Sequence, residues 1–113
     1  MPYRDLTDRP GEEPSRNIRE RVTRARNIQN QRFRRSKIYC NAQMNSRQIK
    51  AFCAIDADCM RLLESAIEKL ALSARAYHRI LKIARTLADL AGGESIERQH
   101  IAEAIQYRSM DRS

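Results

Sequence analysis

The stretch that decides the fold runs from residue 72 to residue 108 and reads LSARAYHRILKIARTLADLAGGESIERQHIAEAIQYR. Apolar side chains recur in it every three or four residues on both sides of a Gly-Gly pair, which predicts two amphipathic helices separated by a helix stop. Ser73 is placed to cap the first helix, Gly92 and Gly93 to end it, and Glu97 to cap the second.

The sequence before this stretch predicts three more helices. Ser15 is placed to cap a long Arg-rich helix that runs to about Ser36, Ser46 to cap a short helix, and Asp56 to cap a third. The link between the third and fourth helices is very short, so we expect them to be antiparallel or sharply crossed neighbours. No segment has a convincing strand pattern. The fold class is therefore an all-α bundle of about five helices.

Positive charge is concentrated in one part of the chain. The 113 residues have a formal net charge of +8. Nine cations and one acid lie in residues 16–37, so this segment alone accounts for the whole excess. Such a cluster repels itself and favours an anionic partner, either nucleic acid or an acidic protein face, although a solvated helix face has the same composition. The candidate DNA or interface residues are Arg16, Arg19, Arg24, Arg26, Arg34 and Arg35.

Other features of the composition limit the location and the domain count. No apolar run is long enough to cross a bilayer, and no signal peptide is visible at the start. The three cysteines form no CxxC and match no zinc spacing, which indicates a cytoplasmic protein with reduced, buried thiols and no metal site. Residues 1–14 contain three prolines, one glycine and four acids, so we expect an irregular arm before a helical domain over residues 15–113. This opening suggests a piece of a longer chain.

The sequence offers almost nothing for chemistry within the chain itself. It has no GxxxxGK[ST] loop, no GxSxG and no apolar strand that ends in paired acids. The acids look thinly spread over helix surfaces, and His78 and His100 are read as surface or packing residues. We therefore expect no catalytic residue in this domain on its own.

A narrow cationic stripe lies on the fourth predicted helix. Arg75, Arg79 and Lys82 fall within about 60° of its circumference, away from the apolar side. Arg75 is in the first turn, where the helix macrodipole disfavours a cation, so an anion supplied nearby would explain it. A guanidinium and the free N–H groups of a helix start can together approach a phosphate. Simple solvation of the stripe is the alternative.

Three segments have a recognisable relationship to a known family. They are NAQMNSRQIKAFCAID (residues 41–56), LSARAYHRILKIARTLADL (residues 72–90) and IERQHIAEAIQYR (residues 96–108). With the upstream SRNIRERVTRARNIQNQRF, they resemble the C-terminal helical domain of magnesium chelatase-like AAA+ ATPases, in particular the ComM/YifB family associated with natural competence. The resemblance covers about residues 15–108.

That resemblance implies a lid that packs over ATP and Mg²⁺ held mainly by a separate, upstream α/β core. It implies that Arg75 is the sensor-2 arginine of this lid, and it makes Arg79 and Lys82 weaker candidates for phosphate or interface contacts. The implied partners are the upstream core and neighbouring subunits of a ring, expected to be a hexamer. The implied parent is a DNA-processing motor active in branch migration, recombination and natural transformation, with the Arg-rich helix facing DNA or the next subunit.

Three other interpretations remain open at the level of sequence. The chain could be the lid of a metal-chelatase motor subunit, a stand-alone basic helical DNA-binding module, or a helical scaffold without a ligand. Whether Arg75 acts on ATP of its own subunit or of its neighbour is also open.

Overall fold

The computed structural model describes the backbone of residues 15–111 and the side chains of residues 15–107, so the arm predicted over residues 1–14 lies outside the described residues. The described part is helical and has no strand, which confirms the predicted all-α bundle. Its α-helices are α1 (Ser15–Arg32), α2 (Ser46–Phe52), α3 (Ala57–Leu70), α4 (Ala74–Leu90) and α5 (Arg98–Asp111), with a 3₁₀ turn at Asn41–Gln43.

Helix α4 is the centre of the bundle. It packs against α1, α2, α5 and the 3₁₀ turn, whereas α3 packs chiefly against α5. We expected α3 and α4 to be close neighbours, and this is only partly so. Helix α5 packs against both of them, and the direct contact between α3 and α4 is small. The side chains with no more than 1% exposure in the apolar core are those of Cys59, Leu63, Ile80, Ala84, Ala88, Ile101 and Ala104.

The helix starts follow local capping chemistry. The Asp56 carboxylate accepts a hydrogen bond from the Cys59 N–H at 2.8 Å, and the Ser73 hydroxyl accepts one from the Ala76 N–H at 3.2 Å, which confirms both predicted caps. Helix α2 is capped by Asn45, one residue before the predicted Ser46.

The reason for that difference is the residue three positions further on. Asn45 is followed by Gln48, whose side-chain oxygen accepts from the Asn45 N–H at 3.0 Å while the Asn45 side chain accepts from the Gln48 N–H at 2.8 Å. This reciprocal pair is a capping box. Ser46 would place the apolar Ile49 at the same position and could form only half of it.

Helix α1 lies at the edge of the bundle and ends four residues earlier than predicted. After Arg32 the chain turns back, because Phe33 is buried and meets the ring of Phe52 edge to face with centroids 5.6 Å apart. Within α1 the burial is slight. Ala25 is buried, but Ile18 and Val22 on the same stripe remain 43% and 41% exposed.

Candidate functional site

The three cations of the stripe on α4, which are Arg75, Arg79 and Lys82, lie in three different environments. Arg75, in the first turn after the Ser73 cap, is exposed and makes no hydrogen bond or ion pair with any residue that the structure describes. Lys82 is half-buried, and its Nζ donates to the Ala42 carbonyl at 3.0 Å, so its charge already has an acceptor. Arg79 is exposed and has a polar or electrostatic partner of its own. Arg75 is therefore the member of the stripe that is available to an external anion.

Arg75 borders an open groove between α4 and the segment that leads into α2. The groove is lined on one side by His78, Arg79 and Lys82 of α4, and on the other by Asn45, Ser46 and neighbouring residues. Its apolar floor includes Met44 and Ile49, both buried. A basic rim over an apolar floor suits an anionic ligand that also has a flat or apolar part.

A buried polar cluster lies further along α4, towards its C-terminal end, and sequence reasoning missed it. Asp89 is fully buried, and Arg32 at the end of α1 approaches it with both guanidinium Nη atoms at 2.8 Å. Asn41 of the 3₁₀ turn donates to the same carboxylate at 2.9 Å and to the Thr86 hydroxyl at 3.0 Å. We call Arg32, Asn41, Arg85 and Asp89 the buried polar cluster. The expectation that acids lie only on helix surfaces is wrong for Asp89.

Arg85 completes the buried polar cluster from within α4. Its Nη2 lies 3.2 Å from the Asp89 carboxylate, one helical turn away. Its guanidinium also donates to the carbonyls of Gly93 at 3.0 Å and Glu94 at 3.1 Å, beyond the end of the helix. Two guanidinium groups therefore face one carboxylate, and the carbonyl oxygens offset part of the excess positive charge. The cluster joins α1, the 3₁₀ turn, α4 and the loop before α5.

The cations of residues 16–37 differ in their burial and in their contacts. Arg32, which was not a candidate, belongs to the buried polar cluster, and Arg24 donates to the Leu90 carbonyl at 3.3 Å. Arg21 is half-buried and has a partner, whereas the side chains of the remaining members are exposed and make no hydrogen bond or ion pair within residues 15–107. These exposed cations are Arg16, Arg19, Arg26, Arg34, Arg35 and Lys37.

His100, Cys53 and Cys59 occupy buried packing positions. His100 is buried, and its Nδ1 accepts a hydrogen bond from the Glu97 N–H at 2.9 Å, so that it helps to start α5. His78 is half-buried, with its ring 5.5 Å from that of Tyr77. Cys53 and Cys59 are buried, as predicted, whereas Cys40 is only half-buried. Burial raises the pKa of the Cys53 thiol to about 11. No cluster of three His, Cys, Asp or Glu that could hold a metal occurs within the described range.

No helix in the described part of the chain is both long enough and apolar enough to cross a membrane.

Known proteins match this sequence over most of its length. The family described as "Magnesium chelatase, subunit ChlI C-terminal" matches residues 12–108. Competence protein ComM of Haemophilus influenzae is 47% identical over 100 residues, which is 88% of this chain and 19% of that protein. The uncharacterized protein YifB of Escherichia coli is 41% identical over 103 residues, or 91% of this chain and 19% of that protein.

These matches cover nearly the whole of this sequence but only about a fifth of the length of the relatives. The match to the family extends from before α1 into α5, and so includes the groove at Arg75 and the buried polar cluster. The chain belongs to the family of magnesium chelatase ChlI C-terminal domains, with ComM and YifB among its relatives.

Proposed function

We propose that this chain is the helical lid of an ATP-hydrolysing ring motor and that Arg75 contacts the terminal phosphate of ATP. The observation on which the proposal depends is the position of Arg75. It lies in the first turn of α4, exposed at the mouth of a basic groove and unpaired within the described residues. A cation placed where the macrodipole is unfavourable gains most from an anion that arrives from outside the domain.

Arginine suits this role because of its shape. The planar guanidinium can donate two parallel hydrogen bonds to two oxygens of one phosphate, and it stays charged at every physiological pH. ATP with Mg²⁺ would supply the transferable phosphoryl group, and Arg75 would stabilise negative charge on its oxygens. The ligands of Mg²⁺ are proposed to lie in the preceding core.

Lys82 and Arg79 are proposed to hold the groove in shape and to raise its positive potential. The Lys82 contact with the Ala42 carbonyl ties α4 to the 3₁₀ turn across the groove. This contact leaves Lys82 less free than Arg75 to follow a phosphate. Substitution of Lys82 is therefore expected to weaken ATP binding more than turnover.

The motor is proposed to act on DNA in recombination and natural transformation. Two observations support this substrate: the similarity to a protein named for competence, and the exposed cations of α1. The family description favours a second candidate, the lid of a magnesium chelatase motor subunit. DNA that stimulates ATP turnover would support the first candidate, and turnover that depends on a porphyrin partner would support the second.

The test is steady-state ATP hydrolysis by the whole protein with Arg75→Ala. We expect kcat to fall about 10²-fold or more, the order observed when one donor to a developing negative charge is removed. Arg75→Lys should recover only part of the activity, because an ammonium group cannot form the bidentate contact.

The matched control is Arg98→Ala, which removes an equally exposed cation from the start of α5. It should leave kcat unchanged, and circular dichroism should show that both variants stay folded. Equal turnover in Arg75→Ala and the unmodified protein would refute the role of Arg75.

A further inference from the structure

The composition of the exposed side of α1 helps to decide whether its partner is a nucleic acid or an acidic protein. Six exposed side chains fall within an arc of about 100° opposite the buried Ala25. We call this surface the basic face of α1. Its members are Arg16, Arg19, Thr23, Arg26, Asn27 and Asn30.

The basic face has no apolar residue at all. A stable protein–protein interface has a buried apolar centre rich in aromatic side chains, and the basic face offers nothing to form one. Arginine, threonine and asparagine are instead the side chains that contact phosphate and sugar along a nucleic-acid backbone. The basic face therefore fits a polyanion better than an acidic protein.

Its length fits a duplex. From Arg16 to Asn30 the helix rises about 21 Å, and a duplex presents one phosphate for about every 1.7 Å of its axis. Three more exposed cations, Arg34, Arg35 and Lys37, follow in the turn after the helix end. Single-strand binders use successive exposed aromatic rings for base stacking, and no aromatic residue lies on the basic face.

We propose that the basic face of α1, together with Arg34, Arg35 and Lys37 in the turn that follows it, binds the phosphate backbone of duplex DNA without reading its sequence. This inference deepens the proposed function, because it names the surface with which a DNA-acting motor would hold its substrate. It does not depend on ATP, and it involves no residue of the Arg75 groove.

The test measures the affinity of the 113-residue chain for a mixed-sequence 30-bp duplex as a function of salt. The proposed surface has six cations, three on the basic face and three in the turn after it. If each of them neutralises one phosphate, a plot of log K against log[salt] should have a slope of about −5.4. The triple variant Arg16→Gln, Arg19→Gln, Arg26→Gln should reduce this slope to about −2.7 and weaken binding equally on duplexes of different sequence.

The matched control removes three exposed cations from other helices: Lys50→Gln, Lys69→Gln, Arg98→Gln. It makes the same change in net charge and should keep most of the parent slope. Equal losses in the two triple variants, or tighter binding to the single strand than to the duplex, would overturn the inference. Binding to anionic phospholipid vesicles without binding to duplex would overturn it as well.

The outcome is independent of the role of Arg75. Arg75→Ala should keep the parent slope in DNA binding even though it lowers ATP turnover by the whole protein. If the affinity of the chain for duplex DNA does not depend on salt while the whole protein still hydrolyses ATP, the inference about the basic face is wrong. The lid proposal is unaffected by that result.

Discussion

At the scale of single residues, Asp89 differs most from what its neighbours in the sequence would indicate. Arg85 and Asp89 are four positions apart on a helix, a spacing that usually marks an exposed ion pair of little energetic value. Here both are buried, because Arg32 comes from 57 positions away to meet the same carboxylate. A charge removed from water is costly unless it is paired and hydrogen-bonded, so we expect the Asp89 carboxylate to depend on the groups that contact it.

The isosteric substitution Asp89→Asn tests that dependence. It removes the negative charge and leaves two guanidinium groups facing an amide, so we expect a loss of about 3–5 kcal/mol in the free energy of unfolding. Urea denaturation followed by circular dichroism measures it.

Asp58→Asn is the control, since Asp58 pairs with Arg61 in the open, where both side chains are more than 60% exposed. That change should cost less than about 1 kcal/mol. Similar losses in the two variants would mean that the buried polar cluster contributes no more than a surface ion pair.

At the scale of secondary-structure elements, a helix boundary can be predicted where the residues that form it are neighbours in the sequence. Asp56 and Ser73 were identified correctly because a cap depends on the three residues that follow it. The end of α1 could not be found in the same way. Nothing in Phe33-Arg34-Arg35 stops a helix, and the chain turns there because Phe33 packs against Phe52 in α2.

The cap at Asp56 predicts a response to pH. The Cys59 N–H hydrogen bond lowers the pKa of the Asp56 carboxyl below its ordinary value of 3.8. A carboxyl group whose pKa falls on folding stabilises the folded state above 3.8 and loses that effect as the pH drops through its lower, folded-state value. Asp56→Ala should therefore destabilise the domain at neutral pH, and the difference from the unmodified protein should shrink in acid.

Thermal unfolding from pH 7 down to pH 2 measures that difference. Asp58→Ala, which removes a neighbouring exposed acid that caps nothing, should show a much smaller effect at neutral pH. A pH-independent gap between Asp56→Ala and the unmodified protein would show that the carboxylate charge is not involved.

At the scale of the whole molecule, the apolar periodicity predicts how many helices exist but not how they meet. The short link after α3 favours direct packing of α3 on α4, yet α5 packs against both. Residue spacing also placed Arg75 on an exposed face correctly, since periodicity alone separates the stripe from the apolar side. It could not show that Lys82 reaches the Ala42 carbonyl, because that contact depends on where the 3₁₀ turn lies.

The contact between Arg32 and Asp89 also decides where an expression boundary can be drawn. Because α1 is charged and exposed, it could be taken for a segment that the domain does not need. A chain cut after α1 would lack Arg32, however, and the buried Asp89 carboxylate would keep only one of its two cationic neighbours, Arg85. A fragment of residues 33–113 should melt without a cooperative transition in calorimetry, whereas residues 15–113 should give one sharp peak. A sharp peak from the shorter fragment would mean that α1 is an appendage, added to a bundle already complete without it.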